Sequence, residues 1–115
     1  MIGDRRRVGV AAARELPFLV VLLVSLVVLF TPASGLPSVF PGADKLVHLA
    51  TFGALVFTGR LARIPRGRLV AGLVGYAVAS EVLQGLLPIG RSPDPVDVLA
   101  DVLGIAVGVL VARRV

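Results

Sequence analysis

The sequence has no cysteine and no tryptophan, a single histidine and a single tyrosine, and charged residues at only 17% of its 115 positions. The absence of cysteine excludes disulfide scaffolds, thiolate metal sites and cysteine nucleophiles. The low charge is more informative, because soluble domains carry about 25% charged residues. It accompanies a hydrophobic share of 57% and a mean hydropathy of +0.95. So short a chain cannot bury this much apolar surface in one core, so the excess must face lipid.

Four apolar stretches approach the roughly 20 residues that a helix needs to cross about 30 Å of hydrocarbon. They cover about residues 16–32, 46–62, 69–87 and 98–112. The connecting segments are short and rich in proline and glycine, which indicates antiparallel neighbours. The sequence therefore predicts an all-α, polytopic membrane protein, with a single domain over residues 1–115 that forms a compact four-transmembrane-helix bundle.

Small residues recur at four-residue spacing on two of the predicted spans. Gly104 and Gly108 form such a step on the fourth span, and Ala71, Gly75 and Ala79 form one on the third. Steps of this kind let two helix backbones approach closely within a membrane. We expect both to serve helix packing.

The basic residues are distributed unevenly between the two sides of the predicted bundle. Of the 12 lysines and arginines, all but Lys45 and Arg91 fall in the N-terminal segment, the second loop or the C-terminus. Short basic segments stay on the cytoplasmic side, so we expect a cell-membrane protein with both termini in the cytoplasm. The arginines then serve as topology determinants, and no nucleic-acid partner is expected.

The first apolar stretch has an alternative interpretation as a cleaved secretory signal. Arg5–Arg7, the apolar run and the segment 31–34 follow the three-part order of such signals. Pro32 within the cleavage region and the length of the apolar run count against cleavage. Removal of this segment would leave three spans in the same orientation.

Polar side chains fall in one layer near the predicted outer face. Asp44 and His48, like Asp97 and Asp101, are four residues apart, so the members of each pair share a helix face. Ionisable residues within a span are functional candidates by default. The predicted polar site comprises Asp44, Lys45, His48, Glu81, Gln84, Arg91, Asp97 and Asp101.

The site has both structural and functional interpretations. In the structural one, the basic residues Lys45, His48 and Arg91 neutralise buried carboxylates and lock the bundle. A metal site is disfavoured, because one histidine among carboxylates lacks the usual zinc-ligand spacings. We expect no metal and no cofactor, and Asp94 in its Ser-Pro-Asp-Pro turn is interpreted as a solvated turn former.

The order of these residues along the chain forms a recognisable pattern. It reads Asp44-Lys45-x-x-His48-x-x-x-Phe52, Glu81-x-x-Gln84, Arg91 followed six residues later by Asp97, and Asp101-x-x-Gly104-x-x-x-Gly108. This pattern resembles the VanZ-like family of small membrane proteins, named for a member associated with low-level resistance to the glycopeptide teicoplanin. The family usually has asparagine where this chain has Asp101. The resemblance implies a role in cell-envelope biology and resistance rather than a particular reaction.

Three functions remain open from the sequence. In the first, an outward-facing polar pocket binds or modulates a lipid headgroup, a cell-wall precursor or a glycopeptide, and Lys45 and Arg91 grip phosphate or carboxylate. In the second, an intramembrane hydrolase or transferase acts on a lipid-linked substrate with His48 or Glu81 as general base. The third is a small proton-coupled carrier that uses Glu81, Asp101 and His48. The lipid bilayer is the partner that the composition requires, and the oligomeric state is left open.

Overall fold

The protein is described by a computed structural model that covers residues 2–30, 42–88 and 94–114, with side chains from residue 13 onward in the first helix. These residues form four α-helices and no strand. The helices are α1 (Ile2–Phe30), α2 (Ala43–Leu61), α3 (Arg66–Leu86) and α4 (Pro95–Ala112). The predicted all-α fold of four helices is confirmed.

Local sequence explains where the last three helices begin. Each starts three residues before its predicted span, because polar residues that lower hydropathy are still compatible with a first helical turn. Asp94 caps α4 by accepting a hydrogen bond from the backbone N–H of Val96, and Pro95 occupies the first helical position. Gly42 precedes α2 with a φ of 83°, a conformation that glycine adopts without strain.

The first helix is longer than its predicted span. It begins at Ile2 rather than near residue 16, and it ends at Phe30. Hydropathy marks only the part of a helix that contacts hydrocarbon, and arginine is a good helix former outside it. Pro17 lies in the second half of α1 rather than in its first turn, and it cannot donate a hydrogen bond to the carbonyl of Ala13.

The four helices alternate in direction, with α2 at the centre of the bundle. α2 contacts α1, α3 and α4. Its residues meet those of α4 in the same order along both helices, since Lys45 bonds to Asp97 and His48 bonds to Asp101. α2 and α4 are therefore parallel. α3 runs the other way, because its first turns lie beside the end of α2, where Gly59 contacts Leu69.

Glycines bring α2 and α4 into backbone contact. A Cβ atom built on Gly104 would collide with the backbone of Leu49. One built on Gly108 would lie 2.8 Å from the carbonyl oxygen of Gly53. The step of small residues on α4 thus sits against α2, at a separation that only glycine permits.

The corresponding step on α3 was expected to pack against another helix, and that expectation was wrong. Ala71, Gly75 and Ala79 are exposed, and a Cβ built on Gly75 would meet no atom within 4 Å. Small residues occur both at helix contacts and on lipid-facing surfaces, since neither environment demands polarity. In this protein the step faces away from the other described helices.

The distribution of apolar side chains is that of a membrane protein. Phe52, Leu55 and Leu73 lie in the core, whereas Leu23 and Leu86 on the periphery are 63% and 75% exposed. Three helical segments are long and apolar enough to cross a membrane, namely Ala13–Phe30, Arg66–Leu86 and Pro95–Ala112. α2 carries more charge, but it runs beside α4 along its length and therefore traverses the same layer.

Candidate functional site

Polar side chains of three helices meet at one end of the bundle, where α2 and α4 begin and α3 ends. α2 presents Lys45 and His48 three residues apart, and α4 presents Asp97 and Asp101 four residues apart, so each pair shares one face. Because α2 and α4 are parallel and in backbone contact, these two faces oppose each other. The polar cluster comprises Asp44, Lys45, His48, Glu81, Gln84, Asp94, Asp97 and Asp101.

The Lys45 ammonium forms three ion pairs at the partly exposed edge of the polar cluster. Its Nζ atom donates to Asp97 Oδ1 at 2.5 Å, Asp94 Oδ2 at 2.7 Å and Asp44 Oδ2 at 2.9 Å. An ammonium has three N–H donors, and three carboxylates use all of them. Lys45 therefore has no donor left with which to grip a phosphate or carboxylate ligand.

Asp44 and Lys45 precede the apolar part of α2, which begins at Leu46, and Asp94 precedes α4. Their opposite charges stabilise one another's ionised forms. Burial opposes the charge of Lys45, but its bonds to carboxylates outweigh this and hold the pKa of Lys45 above its usual range. The hydrogen bond from Lys45 likewise lowers the pKa of Asp94, helped by the backbone N–H of Val96. Asp44 is more exposed, and Lys45 lowers its pKa too.

One turn deeper, His48 lies between two carboxylates of α4. Its Nδ1 atom is 2.8 Å from Asp101 Oδ1, and its Nε2 atom is 3.9 Å from Asp97 Oδ2. His48 and Asp101 are 4% and 0% exposed. The two ring nitrogens thus face two carboxyl groups, and all three side chains are buried.

α3 closes the polar cluster with one acid and one amide. The Glu81 carboxylate accepts a hydrogen bond from the backbone N–H of Asp94, which ties the end of α3 to the start of α4. Gln84 donates through Nε2 to the carbonyl of Leu29 and links α3 to the end of α1. All four helices are therefore joined through this layer.

Two carboxylate oxygens in the polar cluster are left over. Glu81 Oε2 and Asp101 Oδ2 are buried, and neither accepts a hydrogen bond from any residue in the described ranges. Buried polar atoms are nearly always bonded in native structures, so each exception calls for an explanation. Each of these two oxygens therefore has unused acceptor capacity.

Seven of the eight residues that the sequence analysis singled out lie at this end of the bundle, although Gln84 bonds to Leu29 rather than to another of them. Arg91 lies outside the described residues. The structure adds Asp94, which was interpreted only as a solvated turn former but caps α4 and bonds to Lys45. The Asp-Pro pair before an apolar run signals a helix N-cap and could have identified the cap. The bond to Lys45 could not be read from the sequence, because it depends on α2 and α4 being neighbours.

A second buried polar contact lies deeper in the bundle. Ser25 Oγ on α1 and Tyr76 Oη on α3 are 2.8 Å apart, and the Tyr76 ring packs against Phe52 with centroids 5.6 Å apart. Within the described ranges, no group of three His, Asp or Glu side chains is arranged to hold a metal ion.

Comparison with known proteins gives a match to a family of sequences. The sequence model of the VanZ/LLP1 family matches residues 11–115. The match includes most of α1 and extends beyond the motifs between Asp44 and Gly108. No functionally curated protein and no protein of solved structure matches the chain. The chain belongs to the VanZ/LLP1 family.

Proposed function

We propose that the polar cluster binds a cationic amine group of a cell-envelope component at the outer face of the membrane. In this proposal, binding contributes to tolerance of glycopeptides such as teicoplanin. One observation carries the proposal: Glu81 and Asp101, both buried, each keep an oxygen that no described residue satisfies. An ammonium group would supply the missing donors and offset charge at the same time.

The charge balance supports a cationic ligand rather than an anionic one. Five carboxylates belong to the polar cluster, contributed by Asp44, Glu81, Asp94, Asp97 and Asp101. They outnumber the permanently charged bases Lys45 and Arg91 of this part of the sequence. The expectation that Lys45 would grip an anion is disfavoured, since carboxylates already take all three of its donors.

The proposed orientation follows from the charges at the two ends of the bundle. Seven arginines with described side chains lie at the end opposite the polar cluster, at positions 14, 60, 63, 66, 68, 113 and 114. Arginine-rich segments remain in the cytoplasm during insertion. The polar cluster then lies on the outer side, where wall precursors and glycopeptides are found.

The position of His48 favours one second candidate, a small proton-coupled carrier. Its ring lies between Asp101 and Asp97, so Nδ1 could exchange a proton with Asp101 and Nε2 with Asp97. In proteoliposomes, a carrier would dissipate an imposed pH gradient, and His48→Ala would abolish the dissipation. If the gradient decays equally with both proteins, this candidate is excluded.

The binding proposal is tested by challenging cells with teicoplanin. Glu81→Gln keeps the acceptor for the Asp94 N–H but removes the charge, so it should lose the protection that the unaltered protein confers. Glu15→Gln, an exposed acid on α1, is the matched control and should keep it. Membrane insertion of both variants is checked by immunoblot of membrane fractions. Full protection by inserted Glu81→Gln would refute the proposal.

A further inference from the structure

A second site lies at the opposite end of the bundle from the polar cluster. A cavity of about 560 Å³ is bounded by Ala13 and Pro17 of α1, Phe57 of α2 and Ala112 at the end of α4. Its volume is in the range of small-molecule sites. α1 and α4 make no contact within the described residues, so α2 forms the floor of a gap between them. We call it the arginine cavity, because three arginines also line it.

The three arginines of this cavity are Arg14, Arg60 and Arg63. Arg60 donates one hydrogen bond to the carbonyl of Ile64, at 2.9 Å, and its guanidinium has further N–H donors. No carboxylate of the described chain forms an ion pair with any of the three. Three cations around one cavity that no described carboxylate compensates favour a ligand with negative charge.

The depth of the lining residues specifies the shape of that ligand. Pro17 and Phe57 lie three residues further into the bundle than Arg14 and Arg60, which is about 4.5 Å along a helix. The arginines therefore form a charged rim and the apolar side chains form an inner wall. A ligand that fits both parts has an anionic head and an apolar tail, which is the chemistry of an anionic phospholipid.

Backbone geometry places the third arginine at the rim. Arg63 has a φ of 64°, in the left-handed region that residues other than glycine seldom adopt. This conformation turns the chain between α2 and α3, and Arg63 lies among the residues that line the cavity. Guanidinium groups bind phosphate through paired hydrogen bonds, so three of them at one rim suit a phosphate group.

We propose that the arginine cavity binds the phosphate group of an anionic phospholipid, with the lipid tail against Pro17 and Phe57. Basic pockets between membrane helices are known to hold such headgroups. The site is independent of the polar cluster, so either proposal can fail alone.

The test is native mass spectrometry of the full chain in detergent with equimolar phosphatidylglycerol and phosphatidylcholine. The unaltered protein should retain phosphatidylglycerol preferentially. In the triple variant Arg14→Gln, Arg60→Gln, Arg63→Gln, the ratio of retained phosphatidylglycerol to phosphatidylcholine should fall at least about tenfold, as expected for lost charged hydrogen bonds. The control variant Arg66→Gln, Arg68→Gln, Arg114→Gln removes the same charge from the same end and should keep it. An equal loss in both variants would mean that the preference comes from diffuse charge, and the proposal would fail.

Two further measurements complete the test. Ala112→Leu fills the cavity without changing charge and should also reduce retention, which keeps the test decisive if the triple variant misfolds. Inorganic phosphate at millimolar concentration separates the two sources of a phosphate group. Phosphate binding without any preference for phosphatidylglycerol would assign the site to a free anion and overturn the lipid assignment.

Discussion

The contact between α2 and α4 predicts that alanine substitution changes the free energy of unfolding in opposite directions at two glycines. Alanine normally stabilises a helix interior relative to glycine by about 0.5–1 kcal/mol. At Gly75 the added Cβ meets nothing, so Gly75→Ala should raise the free energy of unfolding by that amount. At Gly104 the same atom collides with the backbone of Leu49, which cannot move aside as a side chain can.

Overpacking of this kind costs about 1–3 kcal/mol, so Gly104→Ala should lower the free energy of unfolding by up to about 2.5 kcal/mol after the helix gain of about 0.5–1 kcal/mol is subtracted. Unfolding in mixed detergent, followed by circular dichroism at increasing sodium dodecyl sulfate, measures both variants on one scale. The two substitutions have identical chemistry and both lie within a predicted span. Equal stability of the two variants would refute the described packing of α2 against α4.

Three other predictions concern the polar contacts and the orientation. Acid should destabilise the protein, because the pKa of Asp94 is lower in the folded state than in the unfolded state. The Asp94 carboxylate therefore stabilises the fold above its ordinary pKa, and this stabilisation is lost as the pH falls through the lowered pKa. Lys45→Gln should shrink this acid effect in thermal unfolding, and an unchanged acid effect would contradict the role of Lys45. Ser25→Ala and Tyr76→Phe each break the same 2.8 Å bond, so a double-mutant cycle should give a coupling of about 0.5–1.5 kcal/mol rather than additivity. The chain has no cysteine, so a membrane-impermeant maleimide should label Asp44→Cys in intact cells and Arg114→Cys only after lysis; the reverse pattern would contradict the proposed orientation.

Much of this architecture could be predicted from the sequence, because hydropathy reports directly which segments can cross hydrocarbon. Three of the four helices begin only three residues before their predicted spans. The layer that holds His48, Glu81 and Asp101 also followed from counting residues along each helix. The start of α1 could not be predicted this way, since hydropathy does not register a helix that continues outside the hydrocarbon.

The contacts within the site were harder to predict than its composition. The partners of Lys45 depend on α2 and α4 being parallel neighbours, which a four-helix pattern alone does not specify. The exposed face around Gly75 shows the same difficulty, because a stripe of small residues suits both a helix contact and a lipid-facing surface. Residue identity thus predicted depth and shared faces, whereas pairing between helices needed the three-dimensional structure.

The most direct test of the central claim is binding of a purified lipid-linked wall precursor that carries a free side-chain amine, compared with the same precursor after acetylation of that amine. Acetylation removes the positive charge and leaves the rest of the molecule unchanged. Asp101→Asn keeps the acceptor for His48 but removes the unsatisfied carboxylate oxygen. The unaltered protein should bind the free amine at least about tenfold more tightly than the acetylated form, and Asp101→Asn should lose that preference. Equal affinity for the two precursors, or a preference that survives in Asp101→Asn, would contradict a cation site in the polar cluster.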